Sequence, residues 1–164
     1  MDFKLRKWKL SDLEIVAAYG CNPKITKFMS DAFPDSVEKW RKFLEFSTTV
    51  ENNLYFAIEI NGKAVGAIGV SLQTGVLRKN AELGYWLGED FWGNGIITEA
   101  IREIVQIAFE KHDIVRIFAK PFETNIASHK ALEKAGFKLE ARFEKIIFKN
   151  GEFLDELIYA IRRK

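Results

Sequence analysis

Twice along the chain an Asn-Gly pair separates two strand-like runs: Asn61-Gly62 between Leu54–Ile60 and Lys63–Gln73, and Asn150-Gly151 between Phe137–Lys149 and Glu152–Ile161. A two-residue turn with positive φ at both positions twists in the same sense as the strands it joins, so Asn-Gly is the strongest short-range hairpin signal. Two antiparallel pairs are therefore expected, one early and one at the end. Further strands are expected at Phe3–Trp8, which alternates, at Ala81–Gly88, and at the β-branched run Ile114–Ala119, closed by Lys120-Pro121. Helices fall between them. Ser11 followed by Glu14 is a capping-box pattern opening a helix through Tyr19, which Asn22-Pro23 breaks. Asp35 or Ser36 starts a second helix, with Val37, Trp40, Phe43, Leu44 and Ser47 at helical spacing. A third carries the apolar stripe Ile97, Ile101, Ile104, Val105 and Ala108. The fourth, Asn125–Ala135, has Asn125 as N-cap and Gly136 as the left-handed residue past its end, an arrangement that should fold Phe137 back on Leu132.

With 164 residues, no linker and no repeat, the chain is expected to be a single domain, 1–164, with one site. No apolar run approaches the ~20 residues that cross a bilayer. The start of the chain alternates charged and apolar residues (Asp2, Phe3, Lys4, Leu5, Arg6) and shows no secretory signal, so a cytoplasmic protein is expected. Cys21 has no cysteine to pair with, and His112 and His129 are the only histidines, so no metal site is expected. The net charge of +2 comes from interspersed signs, apart from Arg162, Arg163 and Lys164, which read as a solvated tail. Neither nucleic acid nor a membrane is expected as a partner. The chain is expected to be a monomer or a homodimer.

Trp92-Gly93-Asn94-Gly95-Ile96-Ile97-Thr98 lies between an expected strand and an expected helix. Unpaired backbone N–H groups and the positive helix end make such a turn a natural phosphate site, and glycine lets an anion approach closely. A P-loop is excluded because Ile96 and Ile97, not Lys and Ser/Thr, follow Gly95. A dinucleotide fold is disfavoured by Thr98 in place of a third small residue, and by Lys120-Pro121 where an acid would hold ribose.

The stretch Tyr85-Trp86-Leu87-Gly88-Glu89-Asp90-Phe91-Trp92-Gly93-Asn94-Gly95-Ile96-Ile97-Thr98-Glu99-Ala100 resembles the acetyl-CoA-binding motif of the GNAT N-acetyltransferase superfamily, in the version seen in ribosomal-protein N-terminal acetyltransferases of the RimJ/RimL type. Asn125-Ile126-Ala127-Ser128-His129-Lys130-Ala131-Leu132-Glu133-Lys134-Ala135-Gly136-Phe137 is similar to the second motif of that group, and the order of elements agrees over nearly the whole chain. The resemblance implies an α/β (α+β) single-domain fold: a mixed, mostly antiparallel sheet of about seven strands flanked by helices. Its fourth and fifth strands, by position those with Tyr85–Leu87 and Ile114–Ala119, would splay apart with pantetheine slotted between them. Acetyl-CoA would be the cosubstrate. Its phosphates would meet Trp92, Gly93, Asn94, Gly95, Ile96, Ile97 and Thr98; Leu87 N–H and Asn125 would contact pantetheine, and Tyr85 N–H would face the acetyl carbonyl as an oxyanion donor. The family usually has Arg or Gln where Trp92 stands and Gly or Ala where Ile97 stands. Any phosphate contact from Trp92 must then come from its backbone or its single indole N–H.

The chemistry needs a neutral amine, a polarised carbonyl and a leaving thiolate. Glu82, where similar enzymes often carry an acid, is the candidate base, with a solvated strand-face glutamate as the plainer reading. Ser128, third in its helix, is by resemblance the group that stabilises or protonates the thiolate; otherwise it is a helix serine satisfied by nearby backbone. Other family members use a tyrosine where Leu132 stands. His129 is expected on the surface and cannot partner Ser128 in a triad. Arg102, Lys130 and Lys134 could reach the outer phosphates but read more simply as solvated charges. The leading acceptor is a protein or peptide N-terminal amine. Small amines such as polyamines or aminoglycosides, and a non-catalytic acyl-CoA-binding regulatory module, are the alternatives; an NAD-linked enzyme is the distant third.

Overall fold

The computed structural model describes residues 2–30, 33–49 and 54–163. Its strands are β1 (Lys4–Arg6), β2 (Tyr55–Ile60), β3 (Lys63–Leu72), β4 (Asn80–Leu87), β5 (Arg116–Ala119), β6 (Lys138–Lys149) and β7 (Glu152–Arg162). Its helices are α1 (Leu13–Gly20), α2 (Pro23–Thr26), α3 (Val37–Thr49), α4 (Ile96–Lys111) and α5 (Ile126–Lys134). The seven strands hydrogen-bond in the order β1-β2-β3-β4-β5-β7-β6. The pairs β1–β2, β2–β3, β5–β7 and β6–β7 are antiparallel, whereas β4–β5 is parallel, which makes the sheet mixed as expected. Both Asn-Gly turns have the positive φ pair of a type I′ hairpin: 49° and 80° at Asn61-Gly62, 52° and 82° at Asn150-Gly151.

The chain divides into two compact units, Met1–Gly69 with Tyr85–Ala100 and Val70–Gly84 with Ile101–Lys164, so that β3, β4 and α4 each contribute to both. The first unit is built on an aromatic core. Trp8, Val16, Ile25, Trp40, Leu44 and Trp86 are buried, and Trp40 meets Trp86, Phe33 and Phe43 edge-on at centroid distances of 5.8, 5.3 and 5.7 Å. Beside this core Arg6 reaches Asp12 through two bonds of 2.7 Å, and its Nε meets Glu59. The core of the second unit includes Ile101, Ile104, Ile117, Leu132, Phe137 and Leu157, all buried.

Several local expectations change. Ser11 does not cap α1; Leu10–Asp12 is a 3-10 turn, because the Asp12 carboxylate turns back to accept Lys9 N–H at 2.9 Å while it holds Arg6. Asn22-Pro23 ends α1 and also starts α2, with Asn22 Oδ1 accepting Lys24 N–H at 2.9 Å and Pro23 in the first turn, where its missing N–H costs nothing. Ser36 caps α3 by accepting Lys39 N–H at 3.3 Å, yet Val37 stays exposed and the buried stripe is Trp40, Leu44 and Ser47. In α4 the residue that anchors the first turn is Ile96, which is buried, while Ile97 is only half-buried. β1 and β5 are each shorter than the runs that suggested them.

Candidate active site

The turn before α4 is built by the chain's own bonds. A 3-10 turn, Glu89–Phe91, follows β4, and Trp92 N–H donates back to Glu89 O at 3.1 Å. The indole N–H of Trp92 donates to Leu87 O at 2.8 Å, so both nitrogen donors of this residue are committed inside the loop. The indole therefore does not supply the phosphate contact that the sequence left open to it. Asn94 braces the same loop, its Nδ2 lying 3.1 Å from both Phe91 O and Trp92 O. Gly93 and Gly95 adopt φ of 77° and 75°, and no atom lies within 4 Å of where a Cβ would stand at either. The first helical bond is Glu99 N–H to Gly95 O at 3.2 Å, so the amides from Gly95 to Thr98 precede the helical ladder. A self-braced loop, open space over two glycines and a helix N-terminus together leave the backbone amides of Gly93 to Thr98 in a setting that suits an anion such as a pyrophosphate.

Glycines also set the backbone on either side of Leu87. A Cβ on Gly66 would stand 2.6 Å from Trp86 O, and one on Gly88 would stand 2.6 Å from the Tyr19 ring. Gly88 N–H donates to Val65 O at 2.8 Å. On its other edge β4 pairs with β5 only at Asn80–Arg116, Ala81–Ile117 and Glu82–Phe118, then runs on to Leu87 beyond the last pair. Tyr85 and Leu87, whose N–H groups are the expected contacts for the acetyl carbonyl and pantetheine, lie on this continuation.

In the second unit, Glu82 and Lys120 form an ion pair, Oε1 to Nζ at 3.1 Å, each side chain a little over one-third exposed. Sequence reading missed Lys120 as a neighbour of Glu82, since only the parallel register of β4 and β5 brings the end of β5 alongside it. Asn125 caps α5 as expected, its Oδ1 accepting Ser128 N–H at 3.2 Å, and Ser128 is buried. The far end of α5 is a Schellman turn: Phe137 N–H to Leu132 O and Gly136 N–H to Glu133 O, both 3.0 Å, with Gly136 at φ 96°. Leu132 is fully buried in the core, and its hydrocarbon side chain has no proton to offer a leaving thiolate. His129 is partly exposed, and its ring is engaged on both sides. Its ring stacks on Tyr159 with centroids 5.6 Å apart, and Nε2 lies 3.0 Å from Phe122 O. Arg102 donates to Lys134 O at 2.6 Å and so is tied to the end of α5. Among the described residues no group of three or more His, Cys, Asp or Glu could hold a metal, and no helix is long and apolar enough to cross a membrane.

Comparison with known proteins agrees with this arrangement. The family model described as an acetyltransferase (GNAT) domain matches residues 2–138. The uncharacterized N-acetyltransferase p20 of Bacillus licheniformis is 24% identical over 167 residues, covering 98% of this chain and 92% of that protein. The ribosomal-protein-serine acetyltransferase of Escherichia coli is 28% identical over 131 residues, covering 78% and 73%. The crystal structure of the microcin C7 self-immunity acetyltransferase MccE, in complex with acetyl-CoA and AMP, is 27% identical and superposes with a TM-score of 0.82, covering 99% of this chain and 93% of that one. With a family model that spans most of its length and the glycine turn in the expected place, the chain belongs to the GNAT family of acetyltransferases and is an acetyl-CoA-dependent N-acetyltransferase.

Proposed function

We propose that this enzyme works in the cytoplasm on the N-terminal amine of a protein or peptide. The observation that carries the reading is the Glu82–Lys120 ion pair: the one carboxylate expected to act as base already shares an oxygen with an ammonium group. An enzyme with its base so engaged is suited to an amine that is partly neutral without help. An N-terminal amine with pKa near 7.7–8.0 is roughly 10–15% neutral at pH 7, against roughly 0.04% for a lysine-like amine near 10.4. The similarity to a ribosomal-protein-serine acetyltransferase points the same way.

In this reading the first unit offers acetyl-CoA the amides of Gly93 to Thr98 for its pyrophosphate and Leu87 N–H for its pantetheine, and the second unit offers Asn125. The amine nitrogen attacks the thioester carbonyl carbon. Tyr85 N–H donates to the oxygen as negative charge gathers there, and Glu82 takes the surplus amine proton, directly or through a water. As the carbon–sulfur bond breaks, the Ser128 hydroxyl donates to the departing sulfur. Thiol release would be followed at pH 7 with two versions of one peptide, one with a free N-terminus and no lysine, the other with a blocked N-terminus and an internal lysine. The free N-terminus is expected to react faster by at least tenfold in kcat/KM. Equal or reversed rates would move small amines such as polyamines to the front.

A further inference from the structure

Helix α5 is held at both ends, by the Asn125 cap and by the Schellman turn with Arg102 on Lys134 O. Its middle is held differently. Tyr159, on β7 between Ala119 of β5 and Leu139 of β6, is only 4% exposed. Its ring carries the His129 imidazole stacked at an interplanar angle of 28°, and its hydroxyl donates to Glu133 Oε1 at 3.0 Å. His129 and Glu133 are one turn apart on the same helical face, so a single side chain from the sheet grips two successive turns of α5. The imidazole is tied a second time through Nε2 to Phe122 O, in the segment leading into the helix. Burial first, then the Glu133 carboxylate, pushes the Tyr159 hydroxyl above its ordinary range, so it stays a protonated donor at neutral pH.

We infer that Tyr159 is a positioning residue for Ser128: through His129 and Glu133 it fixes the rotation of α5 about its axis, and with it the direction of the Ser128 hydroxyl. The inference rests on the role proposed above for Ser128. Ser128 immediately precedes His129, about 100° away around the helix, so any turn of α5 that loosens the grip is passed directly to it. With Cα atoms about 2.3 Å from the axis and a side-chain oxygen about 4–5 Å out, a rotation of some 13° displaces that oxygen by about 1 Å. A misplacement of that size can cost on the order of 10²-fold in rate. Other family members place a tyrosine on this helix where Leu132 stands here; this chain places its phenol on the strand and uses it to hold the helix.

The test is a double-mutant cycle on the full chain, with thiol release from acetyl-CoA and an acceptor peptide. Tyr159→Phe, which removes only the hydroxyl of the hydroxyl–carboxylate bond, and Glu133→Ala, which removes the carboxylate that accepts it, are expected to lower kcat roughly 5–20-fold with KM for acetyl-CoA unchanged. Glu133→Gln keeps an acceptor oxygen and should stay within about twofold of the parent. In a Ser128→Ala background Tyr159→Phe should change kcat by less than about twofold, because its effect passes through a hydroxyl that is gone. Glu133 is exposed, so Glu133→Ala carries the test if Tyr159→Phe fails to fold. A lower Tm with full kcat in Tyr159→Phe, or an equal loss with and without Ser128, would overturn the inference. Full kcat in Ser128→Ala alone would overturn the Ser128 reading itself and the inference with it, whereas loss there and none in Tyr159→Phe would remove the positioning role only.

Discussion

Gly95 is where a left-handed backbone turns the chain from the braced loop into α4, and the proposed coenzyme site can be tested there. Replacing it with Asp combines two effects, backbone strain and a negative charge beside the pyrophosphate of the proposed site; Asn shares the shape and the tolerance of positive φ but not the charge. Calorimetry with acetyl-CoA should therefore show Gly95→Asp binding at least tenfold more weakly than Gly95→Asn. Equal affinities would mean that the phosphates lie elsewhere. At this scale the sequence was informative about backbone and much less so about side chains. Gly93, Gly95 and the capping Asn125 could be placed because glycine and Asn answer to local φ and to orphan amides. The fate of the Trp92 indole could not be read, since it depends on a 3-10 turn folding the ring back to a carbonyl of the preceding strand. Lys120 escaped notice for a similar reason, as its partner lies across a parallel strand pair.

The elements most legible in the sequence are those whose signals are purely local. Both Asn-Gly hairpins and the closing Gly136 of α5 fall where turn chemistry placed them. Gly136→Ala tests this directly: a Cβ there would meet nothing nearer than Ile161 Cδ1 at 3.6 Å, so space is not the obstacle and the penalty is that of a left-handed alanine. The expected cost of about 1–2 kcal/mol corresponds to a fall in Tm of roughly 2–8 °C for a chain of this size. No change in Tm by calorimetry would contradict the observed φ of 96°. The start of α1 was the least legible boundary. Ser11 and Glu14 match a capping box, but Asp12 is committed to Arg6, and a paired carboxylate overrides a local propensity.

For the molecule as a whole, the strand order could not be read from the residues, because pairing between distant strands leaves no local trace in a sequence. Acid stability is likewise a property of the assembled structure. Glu59 is buried beside Lys4 and Arg6, and the bonds they donate, Lys4 first, hold its carboxyl down to about 2. A carboxyl with a depressed folded-state pKa stabilises the fold above its unfolded value, about 4.3, and loses that contribution as pH falls toward 2. The Tm difference between the parent and Glu59→Gln, open at pH 6, should thus narrow between pH 4.3 and 2; a constant difference would show that the charge on Glu59 is not what matters. The strand order also has a consequence in time. β7 is the inner neighbour of β5, yet both α5 and β6 are made before it. At about 5–20 residues per second a ribosome needs roughly 2–8 s to pass from Ala119 to Tyr159, and throughout that interval the nascent β5 carries a bare edge, exposed to chaperones and to wrong pairing, until its true neighbour emerges.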